Sequence, residues 1–216
     1  YSPLEAAIRF FPLPFGLMPA AANSDKLVSK FGVNRVVGTG LLLVTLALAI
    51  FSQVSMDTPY IMLALMFWFL GLGMGLTMAP STTVVMDAIP EDKAGVGSAT
   101  NDASREVGGA LGIAIGGSAL NELYQRSIVI PDGLAHFSSE INNSFPTAIR
   151  IGQKLKMEGN PAGEILIENA RLAFIEGMQA SSIIAGIIAL CASVFAYRMM
   201  PKKSIISQDK KYLEEE

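Results

Sequence analysis

PYIMLALMFWFLGLGMGLTMAPSTTVVM, residues 59–86, lies in a stretch with no charged side chain between Asp57 and Asp87. A helix needs about 20 mostly apolar residues to cross the hydrocarbon of a bilayer, at a rise of 1.5 Å per residue. This stretch exceeds that length and also exceeds the usual helix of a soluble domain. Working outward, residues 36–54 are uncharged too, with an aliphatic centre over 41–50. A barrel strand alternates apolar and polar residues over about 10 positions, and no such alternation is found there. Residues 4–23, 100–121 and 172–198 complete a set of five predicted transmembrane helices. For the first and fourth of these, taken alone, a buried helix of a large soluble protein is the alternative reading. The fold class predicted is an all-α membrane protein. Four membrane helices occupy residues 1–120, an outer connection with short helices follows over 121–171, and a final membrane helix over 172–198 leads into a tail over 199–216.

Composition agrees. Hydrophobic residues make up 51% of the 216 residues and charged residues 16%, against about 25% charged in an ordinary soluble domain. The net charge of −3 provides no basic excess for nucleic acid. The single cysteine, Cys191, and single histidine, His136, exclude a disulfide framework and a Cys/His metal cluster. No HExxH or GxxxxGK[ST] pattern occurs, and the glycines 71, 73 and 75 lie inside an apolar run rather than at a strand–turn–helix junction. We therefore expect no enzyme activity, no cofactor and no bound metal.

The basic residues set the expected orientation. Lys26, Lys30 and Arg35 follow the first span, Lys93 and Arg105 follow the third, and Arg198, Lys202, Lys203, Lys210 and Lys211 follow the fifth, whereas the connection after the second carries none. Alternate connections are thus basic, as cytoplasmic connections tend to be. The first residue is expected outside the cell and the C-terminal tail in the cytoplasm. The chain opens on Tyr1 rather than Met, and we expect it to be the last part of a larger transporter, with an odd number of spans upstream.

Polar and small residues mark the candidate sites. Gly97, Asn101, Arg105, Gly108, Gly112 and Gly116 recur at three- and four-residue intervals and share a helical face. Small residues so spaced let a second helix approach closely, and Gly71 and Gly75 form a similar stripe on the third span. Asp102, Arg105 and Glu106 fall where that helix reaches the cytoplasmic interface; at the bilayer centre each charge would cost about 2.5–3.5 kcal/mol. Two readings stand: Arg105 and its neighbours anchor the helix end, or Asn101 and Arg105 take part in an inner gate or domain contact. Pro12 and Pro14 are expected to kink or break the first span, which is tolerated beside protein or a water-filled cavity. Arg9 either snorkels to the interface or faces an internal pathway. Glu176 is either an interfacial acid or a proton relay turned toward a wet cavity.

Specific residues also resemble a known family. The stretch from Pro90 to Gly112, PEDKAGVGSATNDASREVGGALG, resembles the loop and helix before the last outer connection of the fourteen-span drug/proton antiporters, the multidrug efflux transporters of the major facilitator superfamily. Tyr1-Ser-Pro-Leu-Glu-Ala, Lys30-Phe-Gly-Val-Asn-Arg35 and Ala173-Phe-Ile-Glu-Gly-Met178 resemble a late span, the basic cytoplasmic turn and the start of the final span of that family. Ser29 and Lys30 depart from the acid and arginine usual in the turn.

The resemblance implies the last five spans of fourteen, from the C-terminal half of the fold. Spans one, three and four would line the central cavity, and spans two and five would support them. The gate or domain-contact candidates are then Asn101, Arg105, Lys30 and Arg35, and the cavity-facing candidates Arg9, Pro12, Pro14 and Glu106. The expected function is proton-coupled efflux of drug-like or amphipathic compounds by alternating access in a plasma or inner membrane. The partners expected are membrane lipid, a missing N-terminal membrane half, a small-molecule substrate and protons. The alternatives are a non-transporting membrane scaffold or assembly partner, and a permease of the same superfamily for another solute.

Overall fold

The computed structural model describes residues 2–202, except for the side chain of Glu91; Tyr1 and the tail lysines Lys203, Lys210 and Lys211 lie outside the described residues. Among the described residues every regular element is helical. The α-helices are α1 (Pro3–Arg9), α2 (Pro12–Phe31), α3 (Val33–Phe51), α4 (Tyr60–Asp87), α5 (Ala94–Ser127), α6 (Ser138–Asn143), α7 (Phe145–Met157) and α8 (Ala162–Met199), with α1 and α6 the shortest. Three of them, α3, α4 and α8, are long and apolar enough to cross a membrane. The chain divides into two compact units: Tyr1–Phe51, Pro59–Leu111 and Ala185–Glu216 form the first, and Ser52–Thr58 with Gly112–Ile184 the second.

In the first unit the prolines start a helix. Ser2 and Glu5 cap α1 reciprocally: the Ser2 backbone N–H donates to Glu5 Oε2 at 2.8 Å, and the Glu5 N–H donates to Ser2 Oγ at 3.3 Å. The helix ends at Phe10, and α2 begins at Pro12. Pro12 and Pro14 occupy the first turn, where backbone N–H groups have no helical partner in any case, so proline costs little there. Pro19 does lie inside α2, and its carbonyl also accepts a hydrogen bond from Asn23 Nδ2 at 2.8 Å.

Helix α4 packs against both α2 and α3, with glycines on both of the contacting faces. A Cβ on Gly71 would run into the Leu13 carbonyl oxygen, and one on Gly75 would sit 2.6 Å from the Leu17 carbonyl oxygen. Gly16 of α2 answers by lying against the backbone of Trp68 and Leu72. The opposite face carries Gly73, which meets Gly40 and Val44 of α3. Residues four apart share a face and those two apart do not, so the run 71–75 serves two neighbours. Helix α8 closes on α3 through polar contacts. Ser193 Oγ donates to the Gly38 carbonyl at 2.8 Å, Asn34 Nδ2 donates to the Tyr197 carbonyl at 3.2 Å, and the Tyr197 ring covers Gly38. Large apolar side chains such as Leu46, Ile61, Leu65, Ile187 and Phe195 face outward. An outer surface of this kind fits lipid as solvent.

The second unit has its own core of Tyr124, Ile128, Leu134, Ile141, Ala148, Leu166, Ala170 and Ala173. The Tyr124 hydroxyl donates to the Ile141 carbonyl at 3.0 Å, and the rings of Phe145 and Phe174 stack at 4.3 Å. Within the 121–171 connection the structure extends α5 to Ser127 and starts α8 at Ala162, ahead of the apolar run. The early start has a local cause. Gly159 takes φ 76° after α7 ends, Asn160 Oδ1 accepts the Ala162 N–H at 2.9 Å, and Leu166 and Ala170 are buried while Glu164 and Glu168 stay exposed. An amphipathic first stretch of this kind is stabilised by its own core and needs no bilayer.

Candidate functional site

Helix α5 carries the densest set of sequence-predicted residues. Arg105 donates from Nη2 to Thr82 Oγ1 of α4 at 2.8 Å. Asn101, one turn earlier, is half-buried, and Glu106 points outward. Gly97 lies against Ile89, and Gly116 lies 3.1 Å, measured from an added Cβ, from Ser181 Oγ, which donates to the Gly116 carbonyl at 3.0 Å. Gly108 and Gly112 differ: no atom stands within 4 Å of a Cβ added to either. The stripe read from the sequence therefore touches its own chain at Gly97, Arg105 and Gly116, and is open between them.

A second face of α5 is also open. Val96, Ala99, Ala103, Val107 and Leu111 line a shallow apolar trough, which Gly108 shares with the stripe. Its hydroxyls are turned inward on the helix: Thr100 Oγ1 donates to the Val96 carbonyl at 2.8 Å and Ser104 Oγ to the Thr100 carbonyl at 2.8 Å. These bonds remove two unsatisfied donors from the face, as an apolar environment demands.

The remaining predicted residues fall at other points of the first unit. The guanidinium carbon of Arg9 lies 5.2 Å from the centre of the Tyr60 ring, and the Tyr60 hydroxyl donates to the Arg9 carbonyl at 3.2 Å. Arg9 thus joins α1 to the start of α4, with Pro12 half-buried and Pro14 exposed just beyond. Lys30 places its ammonium 5.2 Å from the Phe31 ring centre, and Arg35 is exposed in the first turn of α3. The structure brings neither Arg9 nor Lys30 to Arg105. Gly71 and Gly75 lie in the α2–α4 contact described above. In the second unit Glu176 is exposed, next to Gly177, which packs on the Leu120 backbone.

Sequence reasoning missed the partners. Thr82 for Arg105, Tyr60 for Arg9, and the Asn34–Tyr197 and Ser193–Gly38 bonds were not anticipated, because each joins residues far apart in the chain. One feature could have signalled a link: the polar Asn34 in the first turn of the otherwise apolar α3. Among the described residues no cluster of His, Cys, Asp and Glu could hold a metal ion.

Stacked long helices with apolar outer faces, close-packed through glycine and carrying isolated polar links, define a multi-pass helical membrane protein. The chain belongs to the Major Facilitator Superfamily, whose sequence model matches residues 1–130. It is 28% identical over 203 residues to the tetracenomycin C resistance and export protein of Streptomyces glaucescens, covering 90% of this chain and 37% of that protein. It is 27% identical to the methyl viologen resistance protein SmvA of Salmonella typhimurium, covering 89% of this chain and 39% of that one. It is 25% identical to the multidrug efflux pump LfrA of Mycolicibacterium smegmatis, covering 89% and 38%. The chain therefore spans less than two-fifths of the length of these relatives. The family is one of multi-pass membrane proteins, and these three relatives are named as resistance, export or efflux proteins rather than enzymes.

Proposed function

We propose that the chain forms the last five membrane spans of a drug-efflux transporter, which exports amphipathic or cationic compounds in exchange for protons. In this reading α2, α3, α4, α5 and the apolar part of α8 cross the membrane, with the basic connections and tail in the cytoplasm. The observation that carries it is the open face of α5. Gly71, Gly73 and Gly75 of α4 are all covered, whereas Gly108 and Gly112 of α5 have no neighbour and stand about one and two turns beyond Arg105. A helix that combines small residues for close approach with isolated charges suits the inner side of a transporter, where a missing half completes the cavity. The names of three relatives, each a resistance, export or efflux protein, support the same reading.

Transport then follows alternating access, the two halves of the parent rocking about a site near the bilayer midplane. In that cycle Arg105 and Asn101, with Lys30 and Arg35 at the basic turn, take part in contacts that close the cytoplasmic side, and Arg9, Pro12, Pro14 and Glu106 face the pathway. The test is transport by the full-length protein in inverted or reconstituted vesicles with an imposed proton gradient. Uptake of a fluorescent cationic dye that collapses with the gradient is expected. Transport insensitive to the gradient defeats the proton coupling, and no transport of any amphipathic cation defeats the efflux reading.

A further inference from the structure

Outside the proposed pathway, α2, α3, α4 and α8 enclose a groove of about 340 Å³. Its walls are Leu27, Phe31, Val36 and Leu76, and its polar residues are Arg35, Thr39 and Tyr197. The hydroxyls of Thr39 and Tyr197 lie 2.8 Å apart and share a hydrogen bond. Phe31 is 47% exposed, so the groove opens at the surface rather than into the packed interior. Charge gathers at the same end. The Lys30 ammonium lies 5.2 Å from the Phe31 ring centre, Lys202 meets Gly32 through its carbonyl, and Arg198 follows Tyr197 directly. Counting Lys26 and Arg35, five cations stand there against the carboxylates Asp25 on α2 and Asp87 at the end of α4.

We propose that this groove binds an anionic phospholipid, with the phosphate at Arg35, an acyl ester at the Thr39–Tyr197 hydroxyl pair and an acyl chain against Leu27, Phe31, Val36 and Leu76. The position of Arg35 is what selects a lipid. It lies in the first turn of α3, a helix of membrane-crossing length, where lipid headgroups sit; Phe31 is beside it at the end of α2, and Leu27, Leu76 and the Thr39–Tyr197 hydroxyl pair lie further in, where acyl chains begin. Basic pockets between membrane helices attract anionic headgroups by charge; the phosphate has its donor here in the Arg35 guanidinium, and the one hydroxyl proton left over from the Thr39–Tyr197 bond can donate to an ester carbonyl. Arg35 is shared with the contacts proposed to close the cytoplasmic side, but lipid binding needs the bilayer and not the export reaction, so the two are read by different measurements.

The experiment is native mass spectrometry of the detergent-solubilised full-length protein, titrated with phosphatidylglycerol and with phosphatidylcholine of identical chains. Phosphatidylglycerol is expected to bind about ten-fold more tightly, the preference falling to within about three-fold in Arg35→Gln. Leu27→Trp fills the groove and is expected to weaken both lipids, whereas Arg150→Gln in the second unit changes neither. A photoreactive group on the acyl chain of unmodified protein's bound phosphatidylglycerol should crosslink to peptides holding Leu27–Phe31 and Leu76, a readout that needs no variant to fold. Equal binding of the two lipids, an unchanged preference in Arg35→Gln, or crosslinks confined to other helices overturns the proposal. Occupancy by detergent alone, or by another segment of the transporter that excludes added lipid, overturns it as well.

Discussion

Gly73 of α4 and Gly40 of α3 meet backbone to backbone: a Cβ on Gly73 would stand 2.5 Å from the Gly40 carbonyl oxygen, and one on Gly40 would stand 2.8 Å from the Gly73 carbonyl oxygen. Contact this close means that neither position has room for a side chain. Val44 closes the site from the next turn of α3, its backbone nitrogen 2.8 Å from the same added Cβ. With Gly71 and Gly75 committed to α2, a single short run holds α4 between its two neighbours. Where lipid replaces water there is no hydrophobic drive to bring helices together, so this packing carries much of the association.

Gly73→Val is therefore expected to separate α3 from α4 and to destabilise the protein by about 1–3 kcal/mol, the usual range for forced overpacking. Gly112→Ala, where nothing lies within 4 Å, should leave the isolated chain unchanged and gain slightly in helix propensity. Thermal unfolding in detergent of the two variants checks the contrast. Equal losses would mean that Gly112 is covered.

Arg105 and Thr82 are expected to act as a pair. Removing either loses one charge-assisted hydrogen bond of 2.8 Å, worth at most about 1.5–3 kcal/mol when buried and less at this exposed site. In a double-mutant cycle, Arg105→Ala and Thr82→Val should therefore be sub-additive, by up to about 1 kcal/mol. In vesicles carrying the full-length transporter, both variants should slow transport. Strictly additive effects would show that the two side chains do not interact.

Tyr124 anchors the core of the second unit, 1% exposed with its hydroxyl on the Ile141 carbonyl. Burial raises the pKa of that hydroxyl above the usual tyrosine value, so it stays a donor through the physiological range. Tyr124→Phe should cost about 1 kcal/mol, the price of one hydrogen bond, and Tyr124→Ala about 3–5 kcal/mol through the cavity left behind. Hydrogen exchange of the amides of α6 and α7 reads both losses. Protection unchanged in Tyr124→Ala would place the core elsewhere.

Lys156 donates to Glu164 at 2.9 Å, and this bond, together with the charge of the ammonium, holds the Glu164 carboxyl below the usual glutamate range. A carboxyl with a depressed folded pKa contributes stability above its unfolded pKa and loses it as pH falls through the folded value. The contribution is small, because the side chains are 58% and 72% exposed and water screens them. Lys156→Met should return the Glu164 titration upward, as followed by carbon NMR of the labelled carboxyl. An identical titration in both proteins would show that the pair does not form.

Much of the architecture was legible because lipid imposes a local signature. The uncharged run between Asp57 and Asp87 announced α4, and the aliphatic centre over 41–50 announced α3. The prolines announced a break between α1 and α2, although the structure puts it before Pro12 and uses Pro12 and Pro14 to begin the new helix. Spacing also found Gly71 and Gly75. It overlooked Gly73, which is two residues out of register with them and serves α3 instead.

By itself the sequence determined that the chain is helical, that its solvent is chiefly lipid, and which residues are small or charged along each helix. Length, charge and period are properties of one segment, and the bilayer tests each segment separately. Only the tertiary structure decided that Arg105 meets Thr82, that Ser193 and Tyr197 bind α3 at Gly38, and that α8 begins at Ala162 on a core around Tyr124. Those choices depend on which helix lies beside which, and a contact between residues far apart in the chain leaves no period in either of them.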